Sequence, residues 1–160
     1  MSLSSLRKYL AKNSIQYRLI SYSPVSTAQG LAVVVQVPGR ELAKTVMVKA
    51  DGELAMPVLP SASQVDIKAN RHEAGVKLAE LATEDEVRDR FPGCETGAMP
   101  PFGNLYGMRV FVDERLSSDK EITFNAGSHH VLIRMAWNDF ERLAEPTVIR
   151  HAARRRAAAA

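Results

Sequence analysis

The sequence predicts a single α/β domain built on a mixed, mainly antiparallel sheet flanked by helices, and three observations carry that expectation. Two β-prone runs, Ala43 to Ala50 and Glu53 to Leu59, meet at Asp51-Gly52, a dipeptide suited to a tight hairpin turn because both residues tolerate positive φ. A second pair, Ile122 to Asn125 and Val131 to Met135, is joined by Ala126-Gly-Ser-His-His130, again hairpin-like. Helical segments are interspersed with these strands and no linker divides the chain, so a hairpin-rich sheet is favoured over a doubly wound parallel one. With 160 residues, 46% hydrophobic and 24% charged, the chain is long enough for one core, since domains of ~150 residues bury roughly 70% of their unfolded surface.

Taken in order, Leu3, Leu6 and Leu10 fall at helical spacing and predict a short amphipathic helix that ends at Asn13-Ser14. Ile15 to Tyr22 alternates as a strand, Ser23-Pro24 breaks it, and Thr27 to Val35 reads as a second helix before the Pro38-Gly39 turn. In the first hairpin strand Lys44, Val46 and Val48 share one face. After the loop opened by Pro60-Ser61, Ile67 to Ala74 reads as a helix stopped by Gly75, and Val76 to Leu81 as a strand. Thr83-Glu-Asp-Glu86 is a capping box, with Val87 and Phe91 facing the core one turn apart. Pro92-Gly93 stops that helix, Met108 to Asp113 is a strand with Val110 and Val112 on one face, and Asn138 to Leu143 is a closing helix stopped by Pro146.

Charge restricts the function classes. The net charge is +3, but Arg150, Arg154, Arg155 and Arg156 hold four of the 21 basic residues, which leaves 17 basic against 18 acidic side chains, a net of −1, in residues 1–149. The domain is therefore placed at 1–149 and a basic, alanine-rich tail at 150–160, with Arg154 to Ala160 read as a frayed terminus. An RNA-binding role must rest on a local patch or on that tail, because the body has no global positive field. The start lacks an apolar signal region and the longest purely apolar run is Leu31 to Val35, so neither a signal peptide nor a membrane span is expected and cytoplasm is the default. Cys94 is the lone cysteine, which excludes an internal disulfide and fits a reducing compartment.

Conventional catalytic signatures are missing. His72, His129, His130, His151 and Cys94 show no metal-ligand spacing, so no metal and no cofactor are expected, and no phosphate loop, dinucleotide fingerprint or serine elbow is present. Cys94 has no neighbouring histidine or lysine in the sequence to activate it and reads as a packed thiol. What stands out is Cys94 to Gly107, with three glycines and two consecutive prolines in fourteen residues, a shaped loop able to offer backbone N–H groups to a ligand. Lys44 at a strand edge and a polar turn with Asn125, Gly127, Ser128 and His129 accompany it. Such a set suits breaking an activated bond such as an aminoacyl ester, which needs a positioned water, donors for the oxyanion and an anchor for phosphate.

Leu42-Ala-Lys-Thr-Val46, Asp51-Gly52, Val58-Leu-Pro60, Val65-Asp66, Leu81 to Val87, Gly97-Ala-Met-Pro-Pro-Phe-Gly103, Val112-Asp113 and Asn125-Ala-Gly127 come in the order seen in the YbaK and prolyl-tRNA synthetase associated editing domains. This chain resembles that family from about Leu3 to Leu143 and departs from it around Tyr22 to Gly30 and Lys68 to Gly75. The resemblance implies a strongly curved mixed sheet, hydrolysis of mischarged aminoacyl-tRNA with help from the substrate's own 2′-hydroxyl, and Lys44 as the family's functional lysine. It implies that Gly97 and Gly103, with Ala98, Met99, Pro100, Pro101 and Phe102 between them, form the loop at the terminal adenosine and ester, lined also by Asn125, Gly127 and His129. The implied partners are the acceptor end of a mischarged tRNA and an aminoacyl-tRNA synthetase, without membrane or metal. A second sieve of this kind is useful because a synthetase separates amino acids differing by one methylene by only ~1–3 kcal/mol. The alternatives are a non-catalytic tRNA- or protein-binding module that keeps the fold, and a hydrolase of some other acyl ester.

Overall fold

A computed structural model of the chain describes residues 1–23 and 37–150 throughout and residues 153–155 by their backbone. The helix expected at Thr27 to Val35 lies outside these described residues. Helix α1 (Leu3–Lys12) begins where the Ser2 hydroxyl accepts the Ser5 amide, and it buries Leu6 and Leu10. It leads to β1 (Tyr17–Ser21), shorter than the run read from sequence.

The Asp-Gly hairpin is present, with Asp51 at φ 52° and Gly52 at φ 85°, both positive as a primed hairpin turn requires. Its first arm is divided into β2 (Ala43–Thr45) and β3 (Val48–Ala50), both paired antiparallel with β4 (Glu53–Pro60) in one continuous register. The break falls where Val46 donates its amide to the Pro57 carbonyl. Pro57 has no N–H to return the bond, so the ladder lapses for two residues.

Beyond β5 (Ser63–Val65), helix α2 (Ile67–Glu73) is capped by Asp66 and followed by Gly75 at φ 68°. The next strand, β6 (Ala79–Leu81), starts later than the sequence suggests. The Lys77 and Leu78 amides turn instead to the Asp51 carboxylate, at 3.1 and 2.8 Å, and the Val76 amide closes back on the Arg71 carbonyl. Helix α3 (Glu84–Arg90) has the expected capping box between Thr83 and Glu86, and Val87 and Phe91 are both buried.

After a 3-10 turn at Gly103–Tyr106 come β7 (Arg109–Asp113), the short helix α4 (Glu114–Ser117), β8 (Glu121–Asn125), β9 (Val131–Ala136) and α5 (Trp137–Ala144). Two further strands, β10 (Thr147–Ile149) and β11 (Ala153–Arg155), end the described chain. Helix α4 and strands β5, β10 and β11 are additions to the elements read from sequence.

One sheet has the order β1-β9-β8. A second has β10-β7-β4-β3-β6 with β2 also on β4, and β11 pairs with β5. Of the pairings among the described residues, β4–β7 and β7–β10 are parallel and the rest antiparallel, which is the mixed, mainly antiparallel α/β fold expected. A parallel bridge between Leu42 and Thr123 links the two larger sheets.

Strand β4 is buried on both faces. Met56 and Val58 join Val110, Val112, Leu6, Val87, Phe102 and Phe140 in the main core, whereas Ala55 and Leu59 pack with Val48, Phe111 and Ile149 on the other side. Phe102, 1% exposed, meets Tyr9, Phe124 and Phe140 edge-on with ring centroids 5.6 to 6.0 Å apart, so the Gly/Pro loop is pinned by its own aromatic ring. The frayed terminus expected from Arg154 does not hold for its first residues, since Ala153–Arg155 pairs antiparallel with Ser63–Val65.

Candidate active site

The Gly/Pro loop starts where α3 stops. Gly93 turns at φ 84° and the Cys94 amide closes on the Phe91 carbonyl. Cys94 Sγ donates to the Met1 carbonyl at 2.7 Å, which agrees with a packed thiol. From there the loop is stitched to the turn between β8 and β9. The Glu95 amide donates to the Gly127 carbonyl (2.8 Å), the Gly127 amide to the Ala98 carbonyl (2.9 Å), and the Ala98 amide back to the Glu95 carbonyl (3.0 Å). A carboxylate oxygen of Glu95 takes the His129 amide at 2.7 Å, and His129 Nε2 lies 2.8 Å from the Thr96 carbonyl. A carbonyl can only accept, so in that contact His129 Nε2 is the donor.

Gly97 sits at the centre of this arrangement with φ 83°, and a Cβ built on it would lie 3.7 Å from His129 Cε1. Thr96 and Gly97 are exposed. Among the described residues, the amides of Thr96, Gly97 and Met99 have no acceptor. Unspent donors on a loop fixed by three backbone bonds are suited to an anionic or carbonyl oxygen.

Asn125 spends both amide hydrogens on orientation, donating to the Tyr22 hydroxyl at 2.8 Å and to the Ser128 carbonyl at 3.1 Å. The Tyr22 amide in turn donates to the His130 carbonyl. Burial pushes the Tyr22 hydroxyl pKa up, the Asn125 hydrogen bond offsets part of that, and the nearby Glu95 charge raises it further. Tyr22 is the site residue that the sequence reading passed over. Its signal, a tyrosine just before Ser23-Pro24, is too common to single out.

Gly97, Gly127, Asn125 and His129 are thus brought together. The side chains of Ala98, Met99, Pro100, Pro101 and Phe102 are buried, forming the floor beneath the exposed rim at Glu95 to Gly97. Gly103 is also inside, where an added Cβ would meet Met108 Cβ and Met56 Cβ at 3.3 Å, closer than side chains comfortably approach. Lys44 lies opposite Leu59 on β4. Its neighbour Thr45 reaches the loop, its hydroxyl donating to the Met99 carbonyl. Lys44, adjacent to Thr45 in β2, alternates with it to the other face of the strand. A hollow of about 640 Å³ lined by Ala50 to Ala55, Arg90 and Gly107 to Arg109 shares no residue with this rim. Among the described residues, no group of three or more His, Cys, Asp or Glu is placed to hold a metal ion, and no helix is long and apolar enough to cross a membrane.

The model of the aminoacyl-tRNA editing domain matches residues 22–143, an interval that runs from Tyr22 through Lys44 and the Gly/Pro loop to the end of α5. This chain belongs to the aminoacyl-tRNA editing domain family. Within curated members, it is 25% identical over 145 residues to the multifunctional Ser/Thr-tRNA deacylase ProXp-y of Escherichia coli (strain K12), covering 88% of this chain and 86% of that protein. It is 34% identical over 104 residues to a proline–tRNA ligase of Leuconostoc citreum (strain KM20), covering 64% of this chain and only 18% of that ligase. A crystal structure described as that of a candidate trans-editing enzyme for prolyl tRNA synthetase superposes with a TM-score of 0.80 at 18% identity, over 92% of this chain and 94% of the other. The hypothetical protein APE2540 gives a TM-score of 0.79 at 22% identity, over 91% and 97%. These two likenesses establish the editing-domain fold.

Proposed function

We propose that this editing-domain protein is a freestanding, metal-independent deacylase that hydrolyses the ester of mischarged aminoacyl-tRNA in trans. The observation that carries the reading is the exposed rim at Thr96 and Gly97, whose amides have no acceptor among the described residues and whose position is held from both sides by the β8–β9 turn. The near full-length similarity to a protein named as a Ser/Thr-tRNA deacylase supports the same reaction class, with small aminoacyl groups as the first substrates to try.

In the proposed reaction a water oxygen attacks the ester carbonyl carbon, and the resulting oxyanion receives hydrogen bonds from the loop amides. Collapse breaks the bond between that carbon and the ribose 3′-oxygen. The neighbouring 2′-hydroxyl of the substrate relays the proton from water to the departing oxygen, leaving a free amino acid and an intact tRNA. A single oxyanion donor is worth about 3–4 kcal/mol in comparable acyl-transfer sites, so two or three pre-set amides account for substantial acceleration without a side-chain nucleophile. Lys44 anchors the terminal phosphate as a point charge. Asn125, Gly127 and His129 hold the rim, Gly103 gives the loop its close packing against Met56 and Met108, and Ala98 to Phe102 form the wall beneath.

Purified protein on a panel of mischarged tRNAs, with Lys44→Ala beside it and free aminoacyl esters as competing substrates, tests this. Hydrolysis at the buffer rate, or a Lys44→Ala protein as fast as wild type, overturns it. Equal activity on free esters transfers the reading to a general acyl-ester hydrolase.

A further inference from the structure

The rim at Thr96 and Gly97 carries a charge that ester cleavage alone does not call for. Glu95 directly precedes it and is exposed. Its backbone is pinned, the amide donating to the Gly127 carbonyl at 2.8 Å and the carbonyl accepting the Ala98 amide at 3.0 Å, so the carboxylate is presented from a fixed point. One oxygen, Oε2, takes the His129 amide at 2.7 Å. Among the described residues, Oε1 has no hydrogen-bond partner and no cationic side chain forms an ion pair with either oxygen. The buried acids Glu41 and Asp113, by contrast, each have an arginine partner. His129 also ties this carboxylate to the rim. Its backbone holds Glu95, while its ring Nε2 lies 2.8 Å from the Thr96 carbonyl and its Cε1 would lie 3.7 Å from a Cβ on Gly97.

An anion in that place works against the oxyanion that the Thr96 and Gly97 amides would receive, since like charges at short range disfavour each other. The conflict is removed by a cation, and an aminoacyl ester brings one, because its α-ammonium is two bonds from the carbonyl carbon that water attacks. We propose that the Glu95 carboxylate anchors the α-ammonium of the aminoacyl group, making the protein selective for esters with a free α-amine over esters in which that nitrogen is acylated or replaced by hydroxyl. The proposal rests on the deacylase reading in naming the cation. Oε2 is already spent on the His129 amide, so Oε1 is the oxygen that receives the ammonium, in a charge-assisted hydrogen bond. Selectivity of this kind comes from leaving the carboxylate without its partner when the wrong ester is bound.

Seryl-, threonyl- and alanyl-tRNA are each compared in single turnover with the 2-hydroxyacyl ester of the same side chain, every rate being taken relative to that ester's own hydrolysis in buffer. The proteins are wild type, Glu95→Gln, which keeps an oxygen for the His129 amide and loses only the charge, and Glu95→Asp. Binding of the seryl amide of 3′-amino-3′-deoxyadenosine and of its 2-hydroxyacyl counterpart, neither of them an ester, is measured alongside. Wild type favours the free-amine ester by about tenfold, the lower end for a hydrogen bond to a charged group because Glu95 is exposed. Glu95→Gln brings that ratio close to one, Glu95→Asp restores part of it, and the two amides show the same order in binding. A wild-type ratio near one, an equal loss on both esters in Glu95→Gln, as removal of a general base or of the fold would give, or equal binding of the two amides by wild type each overturns the proposal. Hydrolysis of both kinds of ester without preference removes this inference and leaves the deacylase reading. Tighter binding of the free-amine amide by wild type but not by Glu95→Gln, with no ester hydrolysed, removes the deacylase reading alone.

Discussion

Replacing Gly97 with alanine probes the rim at its most constrained point. The residue holds φ 83°, a region that costs an L-residue about 1–2 kcal/mol. No steric penalty adds to this, because the new Cβ would lie 3.7 Å from His129 Cε1 and 3.9 Å from Nε2, ordinary van der Waals distances. Relaxation to negative φ is opposed by the Glu95–Gly127, Gly127–Ala98 and Ala98–Glu95 backbone bonds on either side. The strain therefore appears as lost stability of about 1–2 kcal/mol, and at about 2–4 °C per kcal/mol for a domain of this size the melting temperature falls by about 2–8 °C. If the loop yields instead, the Gly97 amide moves, and loss of one oxyanion donor lowers kcat by about 10²–10³. Thermal melting paired with single-turnover deacylation of a mischarged tRNA reads both. Asparagine, which visits positive φ more readily than alanine, gives a smaller loss on both measures. A Gly97→Ala protein that melts with wild type and hydrolyses at the wild-type rate refutes the reasoning, since it means that neither the conformation nor the donor matters.

Phe102→Ala removes the ring that plugs the core between Tyr9, Phe124 and Phe140 and costs about 3–5 kcal/mol, measured as a shift in the urea midpoint at unchanged slope. Thr83→Ala breaks the capping box of α3 and costs about 1 kcal/mol in the same titration, without changing deacylation, because the Thr83 hydroxyl bonds to the Glu86 amide of its own helix. The Asp51 carboxylate is held below its ordinary pKa chiefly by the Leu78 amide and then by the Lys77 amide. Its folded-state pKa being depressed, the stability it contributes is present above the unfolded value of about 3.9 and is lost as pH falls through the folded pKa below that. Urea midpoints of wild type and Asp51→Asn therefore differ at neutral pH and converge below about pH 4. A constant difference down to acid pH would show that the carboxylate's charge is not what the two amides bind.

Local signals survived the passage from sequence to structure because their causes are local. The Asp51-Gly52 turn, the Thr83–Glu86 box and the Pro92-Gly93 stop each depend on a few neighbouring residues, and each stands as expected. The division of the first hairpin arm was also written in the chain, in Pro57, whose missing N–H breaks the ladder opposite Val46. Pairings that close over distance were not legible. Strand β10 lies parallel to β7 through Val148 and Val112, and nothing within Thr147–Ile149 reveals that partner. Strand β11 was hidden for the same reason, behind a composition that reads as a solvated tail. At the candidate site the loop itself was conspicuous, as Gly and Pro always are. The stitching of Glu95 and Ala98 to Gly127, and of Tyr22 to Asn125, joins residues from about 30 to 100 positions apart, and no local pattern encodes it.

Single-turnover deacylation of tRNAs mischarged with small amino acids, seryl-, threonyl- and alanyl-tRNA among them, by wild type and Lys44→Ala tests the deacylase reading most directly. Hydrolysis of at least one of them well above the buffer rate, indifferent to chelator and lost in Lys44→Ala, is the expected result. Stable esters in the presence of wild-type protein, across a panel that the protein nevertheless binds, would show instead a module that keeps the editing-domain fold without its chemistry.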